Sequence, residues 1–129
     1  MEQPTAPNPD AFLEACPSRD LLRAVSGKWS PLVIVALEGE PARFGALRRQ
    51  VQGITQKMLT QTLRQLQRSG LVERTSYDEL PMRVDYRLTA LGYSVLPPLK
   101  AMKSWAETNF RESGQAEAEF DRKYVCDGE

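Results

Sequence analysis

A chain of 129 residues that is 41% hydrophobic can close one compact core but not two ordinary domains. Lys and Arg together number 17, as do Asp and Glu, so net charge argues neither for nor against a polyanionic partner. The sequence has no histidine, which removes Ser-His, Cys-His and most metal-ligand schemes. No P-loop or dinucleotide glycine pattern occurs either, so neither an enzyme nor a cofactor is expected.

The opening "MEQPTAPNPD" lacks the basic and apolar regions of a signal peptide, and residues 1–15 read as a Pro-rich disordered arm. Nothing approaches the ~18 apolar residues of a membrane span, which makes a cytoplasmic location the default. Cys16 and Cys126 stand far apart without a CxxC, against a disulfide scaffold or zinc cluster. A first helix is expected from Ser18 as N-cap to Gly27, with Leu21, Leu22 and Val25 on one face. A second, carrying Trp29, Leu32, Val33, Val35, Ala36 and Leu37, is apolar nearly all round and belongs in the core. Between Gly45 and Gly53 a two-turn helix puts Leu47 and Val51 inward.

Thr55 is a good N-cap for the next helix, in which Leu59, Leu63 and Leu66 form a buried stripe. Gly70 stands at its left-handed stop. "LVERTSY" and "RVDYRL" then make a hairpin, Val84, Tyr86 and Leu88 alternating with Arg83, Asp85 and Arg87; Pro81 falls in the loop. Thr89 caps a last long helix reaching about Phe110. Its stripe runs Leu91, Val95, Leu99, Met102, Ala106, with Trp105 adjoining and Pro97-Pro98 placed to kink it. From Glu107 to Glu129 there are seven acids against three bases, so residues 112–129 read as an acidic, partly helical tail.

The charge pattern of the middle is the sharpest signal. From Pro41 to Val72 there are six bases (Arg43, Arg48, Arg49, Lys57, Arg64, Arg68) and no acid, where the chain's own frequency would give about four acids. A helix that merely faces water usually mixes its signs. A short helix, a tight turn, a basic Gln- and Thr-rich helix and a hairpin form the order of a winged helix-turn-helix, mainly α with a small β-hairpin wing. In that arrangement the second helix of the turn lies in the major groove of duplex DNA, where phosphate would repel acids and where Arg, Gln and Thr can read bases. The alternative is a winged-helix module that docks only proteins, although such a face should carry exposed apolar anchors.

Cys16-Pro17, Gly27-Lys28-Trp29, Arg43-Phe44, Gly53-Ile54-Thr55, Gly70-Leu71, Arg74, Pro81, Leu88-Thr89, Gly92 and Trp105 together resemble the HxlR-type transcriptional regulators, relatives of the MarR winged-helix group. The resemblance covers Cys16 to about Phe110. It departs from the usual pattern at Leu80-Pro81-Met82, where many members have a Pro-Pro pair, and at Thr55, which replaces a common Ser. It implies a homodimeric, sequence-specific DNA-binding regulator, more commonly a repressor, acting on palindromic sites through a domain spanning residues 16–111. The expected DNA-binding residues are Arg43, Arg48, Thr55, Gln56, Lys57, Thr60, Gln61, Arg64, Arg74 and Arg83. Several members use a cysteine at the place of Cys16 to sense oxidants or electrophiles, which makes Cys16 the candidate redox-sensing residue; an inert thiol beside the core is the plainer alternative. The long helix and the first helix are the expected dimer surface, and a small-molecule effector is left open.

Overall fold

Residues 8–124 are described by the computed structural model. In chain order they form α1 (Pro17–Ser26), α2 (Ser30–Ala36), α3 (Phe44–Gln50), α4 (Gln56–Arg68), β1 (Val72–Tyr77), β2 (Arg83–Leu88) and α5 (Ala90–Tyr124). Two compact units emerge, one up to Leu96 and one from Pro97 onward.

The first unit is organised by α4, whose two ends are fixed by local chemistry. At its start the Thr55 hydroxyl accepts the Met58 N–H at 3.1 Å, satisfying a donor that the first turn leaves open. At its end Gly70 takes φ +78°; the Leu71 N–H reaches the Leu66 carbonyl at 2.9 Å and the Gly70 N–H that of Gln67 at 3.0 Å. This is a Schellman stop, completed by the apolar pair Leu66 and Leu71. Leu59, Leu63 and Leu66 are buried, and α4 packs on α1, α2 and β1. Val33, Ile34, Leu37 and Leu47 complete the core beneath it.

β1 and β2 pair antiparallel in a register running from Val72 opposite Leu88 to Tyr77 opposite Arg83. The free edge of β2 is met by Ala42, in the linker between α2 and α3, through two 2.8 Å backbone bonds with Tyr86. The wing is thereby tied to the start of α3. The Thr89 hydroxyl accepts the Gly92 N–H at 3.1 Å and donates to the Gly70 carbonyl at 2.6 Å, joining the start of α5 to the stop of α4. Gly92 is needed there, because a Cβ would run into the Leu71 carbonyl oxygen.

Several expectations need correction. α1 is capped at Cys16, not Ser18, with Pro17 in its first turn; proline suits that place because its missing N–H would have no partner anyway. Leu21 and Leu22 are exposed, the inward face of α1 being Ala24 and Val25. Residues 8–15 are not a featureless arm: the Asp10 carboxylate accepts the Phe12 N–H at 2.9 Å, and the Arg19 guanidinium donates to the carbonyls of Ala11 and Phe12 at 3.0 and 2.8 Å. Strict alternation fails in β2, where Asp85 is buried.

The second unit is the helical stretch Pro97–Tyr124. α5 does not stop near Phe110 but continues to Tyr124, through Pro97 and Pro98. Leu99 is buried, whereas Met102, Trp105, Phe110 and Phe120 are exposed. At about 100° per residue all five fall on one side of the helix, and the Phe120 and Tyr124 rings stack with centroids 4.5 Å apart. Cys126 lies outside the described residues.

Candidate nucleic-acid interface

The helical repeat sorts the polar residues of α4 by direction. With Leu59, Leu63 and Leu66 inward, the residues pointing most nearly outward are Lys57, Gln61, Arg64 and Arg68, all exposed. Among the described residues none of these three bases has a carboxylate partner. Arg48 in α3 and Arg74 in β1 are likewise exposed and without an ion pair. Unneutralised charge on one rigid helix leaves every donor of these side chains available to an anion.

Thr60 lies one step toward the wing. Its hydroxyl donates to the Gln56 carbonyl at 2.8 Å, which leaves its lone pairs open to a donor. A groove of about 500 Å³ between α4 and the wing is lined by Thr60, Leu63, Arg64, Gln67, Arg74 and Tyr86. It brings Thr60, Arg64 and Arg74 together, although they are spread over 15 positions of sequence. Gln67 and Tyr86 were missed by sequence reasoning. Gln67 carries a signal in hindsight, since it stands one turn past Arg64; the place of Tyr86 follows only from the hairpin register.

Gln56 is exposed in the first turn of α4, and the Thr55 hydroxyl is already engaged as the cap. Arg43 and Arg83 differ from the other bases. The buried Asp85 carboxylate sits 3.3 Å from the Arg83 guanidinium and 4.0 Å from that of Arg43. Arg83 also lies over the Tyr77 ring at 4.1 Å; Tyr77 first, then Asp85, favours its charged form. It is half-buried in the wing, so much of its charge serves to hold the hairpin. Arg43, more exposed, stands at the N-cap position of α3 beside the Ala42 bridge.

Cys16 sits apart from this face, at the N-cap of α1 and half-buried. Its sulfur lies 3.0 Å from the Ser18 hydroxyl. That hydrogen bond first, and backbone N–H groups second, hold the thiol below its ordinary pKa of 9.0. Trp29 is half-buried under the Lys28 ammonium, which lies 5.0 Å above its ring. No cluster of three His, Cys, Asp or Glu that could hold a metal occurs among the described residues, and no described helix is long and apolar enough to cross a membrane.

A helix-turn-helix of α3 and α4 followed by a two-stranded wing defines the winged helix-turn-helix class. Residues 24–114 match the HxlR-like helix-turn-helix family, and the chain belongs to that family. It is 41% identical over 101 residues to the HTH-type transcriptional regulator YtfH of Escherichia coli (strain K12), covering 78% of this chain and 80% of that one. A solved structure of the transcriptional regulator ytfH from Salmonella typhimurium superposes with a TM-score of 0.77 at 39% identity, covering 85% of this chain and 99% of that one. The redox regulator HypR in its oxidised form superposes with a TM-score of 0.68 at 37% identity, covering 73% and 97%. The protein is therefore a transcriptional regulator of the helix-turn-helix type.

Proposed function

We propose that the chain binds duplex DNA as a homodimer, α4 entering the major groove of each half of a palindromic site. The observation that carries this reading is the outward stripe Lys57, Gln61, Arg64 and Arg68, whose bases no carboxylate neutralises among the described residues. Gln56 and Gln61 are suited to adenine and Arg64 to guanine or phosphate. Arg43, Arg48 and Arg74 serve the backbone, as does the Thr55 hydroxyl proton, while Thr60, whose proton is engaged, can accept from a base amino group. Arg83 contributes charge from within the wing. One reading head neutralises few phosphates, and two on a symmetry axis double the contacts. The exposed apolar side of α5 at Met102 and Trp105, with Leu21 and Leu22 of α1, supplies the dimer surface, and bound across a promoter such a dimer represses.

Cys16 couples this activity to oxidants. Its lowered pKa and its Ser18 partner favour the thiolate, the species that attacks a peroxide oxygen. The O–O bond breaks to give a sulfenic acid and hydroxide, which takes a proton from solvent to become water. The likeness to a redox regulator solved in its oxidised form supports the same role.

The test is retention of genomic fragments by the pure protein, followed by a salt titration on a retained fragment. Log affinity should fall with log salt at about 0.9 per phosphate neutralised. Peroxide should weaken binding by the wild-type chain and leave Cys16→Ser unaffected. A chain that retains no fragment, or that binds with no salt dependence, is instead a protein-docking module.

A further inference from the structure

An α-helix with its side chains is about 10–12 Å across, and the B-DNA major groove is about 12 Å wide. A helix lying there consequently has one sugar-phosphate strand against each flank. On the wing flank of α4, Arg64 and Arg74 line a groove that such a strand could follow. The opposite flank also borders a groove, of about 730 Å³, between α4 and the corner joining α1 to α2. Nothing so far gives that groove a role.

Its charges are Asp20, Arg23, Lys28 and Arg68. Asp20 and Arg23 face each other at 4.0 Å and largely cancel. Lys28 and Arg68 remain, neither with a carboxylate partner among the described residues. Lys28 lies across the Trp29 ring, and this half-buried indole braces an otherwise flexible cation at the groove wall. Gln61 and Arg68 belong both to the groove lining and to the outward stripe of α4, so a duplex taken by that stripe is already at the mouth of the groove. Gln65, exposed one turn from Gln61, adds a neutral donor.

We infer that the groove between α4 and the α1–α2 corner seats the backbone phosphates of the second DNA strand, with Lys28 and Arg68 as its cations. The inference rests on the DNA-binding reading above. It divides the two flanks between the two strands: Arg64 and Arg74 on one, Lys28 and Arg68 on the other. The volume also falls within the ~300–1,000 Å³ of small-ligand sites, which makes a free small anion the rival occupant. The shared lining with the stripe favours the polymer.

Fluorescence anisotropy on a retained fragment and on an unrelated duplex, from roughly 0.05 to 0.3 M salt, tests the assignment. Lys28→Ala and Arg68→Ala should each flatten the log–log salt slope by about 0.9. They should weaken both duplexes alike, because phosphate contacts carry no sequence information directly. Asp20→Asn, which removes the acid among the described lining residues, should tighten both. Lys28→Gln keeps the stem over Trp29 and serves if the alanine variant fails to fold. Unchanged slopes in Lys28→Ala, Lys28→Gln and Arg68→Ala, while Lys57→Ala and Arg64→Ala still lose affinity, overturn this inference and leave the DNA-binding reading standing. Unchanged slopes together with a melting-temperature rise by benzoate or inorganic phosphate that Lys28→Gln abolishes would give the groove to a small anion and also overturn it. A wild-type chain that binds neither duplex brings down both readings.

Discussion

The stretch up to Leu96 closes a core, although Leu21, Leu22, Leu80 and Met82 stay exposed, whereas the helix from Pro97 to Tyr124 leaves most of its large apolar residues exposed. In the first, Leu59, Leu63 and Leu66 of α4 face Val33, Ile34, Leu37 and Leu47 within one core. In the second, Leu99 is buried but Met102, Trp105, Phe110 and Phe120 remain exposed along one side. The first has the means of its own stability. The second displays an exposed apolar stripe of the kind that marks interaction surfaces, in keeping with the dimer proposed above. The same repeat of leucines and aromatics therefore lines a core in one place and an exposed side of a helix in the other.

The largest effect that would sharpen this contrast is on stability. Leu59→Ala, at a site with 0% exposure, should lower the unfolding free energy by about 2–5 kcal/mol. Phe120→Ala, at 59% exposure, should change the dilute chain by no more than about 0.5 kcal/mol. Urea denaturation of both variants decides the matter, and equal losses would erase the distinction between the two regions. Association comes next: Trp105→Ala should weaken self-association by about 2 kcal/mol or more if the indole anchors the interface, roughly 30-fold in the dissociation constant. Sedimentation equilibrium would measure it. An unaltered dimer would move the interface away from this stripe.

How legible each region was follows from how local its causes are. The limits of α4 were readable because the Thr55 cap and the Gly70 stop are fixed by a few neighbouring residues. The wing was readable as a hairpin, yet Asp85 was not foreseen as buried, because the two arginines that make its burial tolerable come from α3's cap and its own strand. Leu21 and Leu22 looked like a core face by spacing; helix periodicity shows which residues share a side, not what that side meets. The same limit hid Tyr86 and Lys28, each placed beside α4 by tertiary packing alone. Cys16 as the cap of α1 could have been anticipated from Pro17, whose preference for the first turn moves the helix start ahead of Ser18.

Smaller effects separate holding α4 in place from touching DNA. Thr55→Ala removes the hydroxyl that accepts the Met58 N–H and should cost about 1 kcal/mol of stability. Thr55→Ser retains the acceptor and should recover most of it. If the alanine variant melts like wild type but binds DNA less well, Thr55 is a contact residue and not principally a cap.

The smallest effect concerns Cys16, and its direction comes from its surroundings. The Ser18 hydroxyl is the largest cause of the lowered thiol pKa, and backbone N–H groups add to it. A lowered pKa means that the folded state favours the thiolate. Its contribution is present above the pKa of the unfolded chain and is lost as pH falls through that of the folded one. The rate of iodoacetamide labelling at Cys16 should therefore rise with pH through a midpoint below 9.0, the ordinary value. Ser18→Ala should move that midpoint upward without reaching the ordinary value, since the backbone donors remain. Mass spectrometry of the labelled peptide containing Cys16 follows the rate separately from Cys126. A midpoint at 9.0 or above in the wild-type chain, or one that Ser18→Ala leaves in place, would return Cys16 to the role of an unreactive thiol at the start of a helix.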